Sequence, residues 1–129
     1  MIKHIVMWNV LGRSPHERSE NIEKLRTAFE GLRGRIPGLI QLEIGIDTSR
    51  IGYSCDVVLY SEFDTQASLD AYAAHPAHLS VRDKLQGLRI ARHQVDYEVD
   101  ELTRREVASS VGFQPVRRAL NGGTQFGRD

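Results

Sequence analysis

Tyr72, His75, Pro76 and His78 stand together in the stretch YAAHPAHLS, residues 72–80, in a chain with few other chemically distinctive groups. A histidine titrates near neutral pH and can take or give a proton. A phenol can donate a hydrogen bond to an oxygen that is gaining charge. The same residues could instead hold a metal, or do no more than cap and pack a join between two helices. Metal is the weakest of these readings, because Pro76 lies between the two histidines and no cysteine or carboxylate cluster completes a ligand set. No metal and no cofactor is expected. A lone histidine is not a haem signature either.

The elements that position this stretch can be read from periodicity. Residues 2–10, IKHIVMWNV, form a strand with Ile2, His4, Val6, Trp8 and Val10 on one face and Lys3, Ile5, Met7 and Asn9 on the other. Both faces carry apolar residues, so the strand is expected to be central and covered on both sides. Ser14, Pro15 and Glu17 then make a capping box with proline at the first helical position. Ile22, Leu25, Phe29, Leu32 and Ile36 follow at spacings of three and four, one apolar stripe that Gly34 and Pro37 should end. In residues 39–47 the set Ile40, Leu42, Ile44 and Ile46 alternates with polar positions and predicts a second strand.

Residues 55–63 read as the third strand. Asp64 or Thr65 should cap a second helix that buries Ala67, Leu69, Tyr72 and Ala73. Pro76 disfavours helical geometry at His75, so this helix should break there and restart, with Gly87 available as its cap. Residues 92–99 alternate as a fourth strand. The order β-α-β-β-α-β predicts an α+β, ferredoxin-like fold, a four-stranded antiparallel sheet with its helices on one face. Two helices leave the other face bare, and a second copy of the chain is the simplest cover.

Four fragments in order, IKHIVMW, DVVLYSEF, LDAYAAHPAH and VDYE, resemble the stress-responsive A/B barrel domain (Dabb) of the dimeric α/β-barrel superfamily over about residues 1–100. The resemblance implies a ferredoxin-like monomer pairing sheet to sheet into a dimeric barrel. Many members of the family have no assigned reaction, but one plant member is a polyketide cyclase that works by intramolecular aldol condensation. There the second histidine of His-Pro-x-His is the base, a tyrosine six residues earlier assists it, and a first-strand histidine lines the pocket. These positions are matched here by His78, Tyr72 and His4. A further pocket histidine on the third strand is not matched, since this chain reads Cys55, Asp56, Val57. His78 and Tyr72 are thus the candidate catalytic pair. His4 and His75 are the candidate ligand-binding residues, with His75 also expected to serve the helix break. The expected function is a homodimer that binds a small hydrophobic or carbonyl-bearing molecule near His78. The alternative is a cofactor-free enzyme of polyketide-cyclase type.

Composition narrows the partners. Seventeen lysines and arginines balance seventeen aspartates and glutamates in 129 residues, so no long-range field gathers nucleic acid or an anionic membrane. No nucleic acid and no membrane partner is expected. The first apolar run is too short and mixed for a signal peptide or span, and the one cysteine, Cys55, excludes a disulfide within the chain. A cytoplasmic protein is expected. Residues 101–129 shift in composition: five arginines stand against two glutamates and one aspartate, a net +2, before a glycine-rich end. They are expected to form an arm or tail that the core does not need.

Overall fold

The computed structural model describes residues 1–100, and Met1–Glu98 make one compact unit. The expected arm over 101–129 lies outside the described residues. Strand β1 (Ile2–Val10) leads into helix α1 (Pro15–Glu30). Strands β2 (Leu39–Ile46) and β3 (Val57–Phe63) follow, then α2 (Gln66–Ala73), α3 (Pro76–Lys84) and β4 (Arg89–Glu98). The sheet runs β2-β3-β1-β4, antiparallel throughout, with β1 central as its two-sided apolar pattern requires. This is the ferredoxin-like order with its second helix broken in two.

The helices cover the β1 face that carries Ile2, His4, Val6, Trp8 and Val10, all buried. Trp8 stacks on Phe29 of α1, ring centroids 5.5 Å apart, which places it in the core. The opposite face keeps apolar area in the open: Met7 is exposed, and Val95 and Tyr97 of β4 are 50% and 43% exposed in the single chain.

The caps follow the sequence. Ser14 accepts the Glu17 N–H at the start of α1, and Thr65 rather than Asp64 accepts the Ser68 N–H at the start of α2. Gly38 is required where β2 begins. Its φ is +81°, and a Cβ there would meet the Ser68 hydroxyl at 2.2 Å.

Three expectations need correction. Helix α1 stops at Glu30, and Leu32 and Ile36 stay buried from tight turns rather than from a helix. Beyond Gly31 the bonds shorten to i→i+3, as in Leu32 N–H to Phe29 O, and Gly34 turns left-handed at φ +76°. In β2, Leu39 pairs with Phe63 and Gln41 with Glu62, so Ile40 is an unpaired bulge residue and 53% exposed. Ile46, at the strand end, is also exposed. Ala67 and Ala73 are exposed, because eight residues of α2 present only a narrow stripe, Leu69 and Tyr72. Ala77 and Val81 of α3 continue the core in their place.

Candidate functional site

The break between α2 and α3 shapes the site. On one unbroken helix, positions 72 and 78 would point about 120° apart. Here α2 ends at Ala73, His75 takes an extended conformation, and Pro76 opens α3 at its first position. The Tyr72 and His78 rings then meet at 4.3 Å between centroids. From the sheet below, His4 of β1 sits 6.2 Å from the Tyr72 ring, and Phe63 of β3 fills the side at 5.2 Å. The break brings Tyr72 and His78 together and β1 adds His4, so three of the four candidates meet.

His75 has another task. Its Nδ1 accepts the Ala77 N–H at 3.0 Å, so it is the N-cap of α3. His16 is exposed and lies 3.5 Å from Glu20, and His93 is exposed on the bare sheet face opposite Met7.

Hydrogen bonds fix which nitrogens can act. A carbonyl only accepts, so His78 donates its Nδ1–H to the Ala73 carbonyl at 3.2 Å, leaving Nε2 as the basic atom of the neutral ring. Burial pushes the His78 imidazole below its ordinary value. The bond to Ala73 opposes that shift, and the positive charges of Arg82 and Arg89, with His4, add to it. Tyr72 is 4% exposed, and its buried hydroxyl has no hydrogen-bond partner among the described residues. Burial pushes this phenol far up, against the pull of Arg89 and Arg92, so it keeps its proton at neutral pH as a ready donor.

Asp96 is a site residue that the sequence pattern does not single out. The register His4↔Asp96 sets the two side by side, and the His4 Nδ1–H donates to Asp96 Oδ1 at 2.6 Å. Gln94 bonds the other oxygen of Asp96 at 3.1 Å, and Arg92 bonds Gln94. A carboxylate held on Nδ1 leaves Nε2 of His4 as the free nitrogen. Solvent reaches the group through half-buried His78 and through Asp96, whose side chain is 32% exposed.

Grooves elsewhere are lined by other residues. One of about 760 Å³ runs between α1 and the end of α3, past Glu20, Thr27 and Leu85. Another, of about 490 Å³, lies at a sheet corner with Met7, Tyr53, Cys55 and His93. Among the described residues no three histidine, cysteine, aspartate or glutamate side chains come together as a metal site. No helix among them is long and apolar enough to cross a membrane.

The model of the Stress Responsive A/B Barrel Domain family matches residues 2–99. A dimeric protein of unknown function and ferredoxin-like fold from Bacteroides fragilis is 30% identical, with 76% of this chain and 95% of that one covered and a TM-score of 0.68. A hydroxynitrile lyase from Passiflora edulis (14% identity, 78% and 94% covered, TM-score 0.65) shares the fold. So does a putative antibiotic biosynthesis monooxygenase from Deinococcus radiodurans (17%, 78% and 94%, TM-score 0.62). No curated protein matches the chain.

Proposed function

For a chain that belongs to the stress-responsive A/B barrel domain family, we propose a homodimer that binds a small carbonyl-bearing molecule at His78, Tyr72 and His4. The observation that carries this reading is the Tyr72 hydroxyl, buried, protonated and without a partner among the described residues, beside a histidine held neutral by its surroundings. A buried donor left unmade costs about 1–3 kcal/mol, a deficit that a carbonyl oxygen would remove. Dimerisation is supported by the apolar residues on the bare sheet face and by the dimeric description of the Bacteroides fragilis structure.

Titration with the neutral β-diketone benzoylacetone, followed by calorimetry, tests the binding. Tyr72→Phe, which removes only the hydroxyl, should weaken it at least tenfold. Equal affinity in the variant removes the hydroxyl from the site.

A second reading, a cofactor-free proton-transfer enzyme, is favoured by the free Nε2 of His78. A C–H bond α to the carbonyl breaks, its proton passes to Nε2 and its electron pair moves onto the carbonyl oxygen, where the Tyr72 O–H donates to the growing charge. In a cyclase the resulting carbanion attacks a second carbonyl of the same molecule, and His78 returns the proton. Deuterium uptake at the α-carbon of benzoylacetone in D₂O, measured by NMR, should be accelerated by the protein and lost in His78→Gln. An unchanged rate in that variant removes the reading.

A further inference from the structure

Three arginines from different elements act through their charges on the Tyr72–His78 pair, Arg82 and Arg89 on His78 and Arg89 and Arg92 on Tyr72. Arg82 comes from the last turn of α3, Arg89 opens β4, and Arg92 follows on β4. Arg82 and Arg89 share a cleft of about 360 Å³ with Asp83 and Gln86. Arg89 is half-buried, its guanidinium 4.8 Å from the Trp8 ring and 5.5 Å from that of Phe29.

Among the described residues none of the three forms an ion pair. Asp83 stands in the cleft without bridging to either arginine, and Asp96 is taken up by His4 and Gln94. Packing on aromatic rings accounts for the position of Arg89. It does not account for two more positive charges nearby. Burial, and then the charge of Arg92, push the Arg89 guanidinium below its ordinary value, while the charges of Arg89 and Arg92 both act on Tyr72.

We propose that Arg89, with Arg82 and Arg92 around it, is an anion subsite that holds the carboxylate of the molecule whose carbonyl faces Tyr72 and His78. The substrate class is then an oxo acid rather than a neutral ketone. This rests on the carbonyl-binding reading of the same site and narrows it. A planar guanidinium suits a carboxylate, and fixing one end of a small molecule there would orient its carbonyl toward the phenol.

The probes are levulinate, a stable oxo acid, and its neutral methyl ester. Trp8 is the only tryptophan, so its indole N–H resonance reports directly on the group beneath Arg89. Levulinate should shift it saturably and bind at least tenfold more tightly than the ester. Arg89→Gln should remove that preference while leaving the ester's affinity unchanged. Because Arg89 also packs on the core, exposed Arg92→Gln serves as a second variant and should reduce the preference several-fold with an unchanged melting temperature. Equal binding of acid and ester, a preference that survives Arg89→Gln in folded protein, or no binding of either probe overturns the subsite. If the ester binds in a Tyr72-dependent way without any acid preference, the subsite falls and the carbonyl reading stands. If levulinate binds through Arg89 but is indifferent to Tyr72→Phe, the subsite stands and the carbonyl reading falls.

Discussion

Two histidines three residues apart do unlike work here. His75 spends its Nδ1 on the Ala77 N–H in the first turn of α3, whereas His78 keeps Nε2 free. His75→Ala should therefore cost about 1 kcal/mol, a drop of about 5 °C in melting temperature for a domain of this size. His78→Gln, whose amide can still donate to Ala73, should shift the melting temperature less and remove α-proton exchange. Calorimetric melting of both variants checks the pair. The lowered pKa of His78 also fixes a sign. The reactive neutral form persists as pH falls through the ordinary histidine value of 6.5, so the acid limb of any exchange rate should lie below it. For stability, the unfolded chain takes up this proton near pH 6.5 and the folded chain only at lower pH. His78 therefore costs stability on acidification through that value, and His78→Gln should flatten this part of a pH–stability curve. The approach of Tyr72 to His78 was legible because a proline break between a tyrosine and a histidine has a local meaning, whereas His4 entered through the family resemblance. Asp96 and the arginines were not legible. Their roles depend on the pairing of residues 92 apart in the chain and on where β4 passes α3, which no local pattern encodes.

At the scale of elements, periodicity gave the order of strands and helices, and its failures have local physical causes. The α1 stripe continues past Glu30 because buried positions in tight turns can imitate helical spacing. The β2 alternation places Ile40 inward on paper, but a bulge takes it out of phase. The break at Pro76 is the element-scale feature on which the site depends. Pro76→Ala should lower stability by about 0.5–1 kcal/mol, through the greater freedom of the unfolded chain. By loosening the restart it should also weaken benzoylacetone binding more than that loss of stability requires. A variant that binds as wild type would show that the cap of His75 alone sets the geometry.

For the whole molecule, the two faces of the sheet make opposite demands. Val6 lies in the helix-covered core and Val58, half-buried, on the bare face. Val6→Asp should unfold the chain, since an unpaired buried charge costs more than a small domain has in reserve. Val58→Asp should leave it folded and shift it from dimer to monomer in light scattering at micromolar concentration. A folded Val58→Asp dimer would mean that another surface joins the subunits. For a ligand, the group around His78 competes with two grooves that also hold a histidine, the one between α1 and α3 and the corner at Cys55 and His93. Histidine side-chain ¹⁵N resonances decide among them, because each place holds a different histidine. Titrating the full chain with benzoylacetone should move His78 and His4 together while His16, His75 and His93 stay fixed. Movement of His16 or His93, with His78 and His4 unchanged, would contradict the assignment of the site.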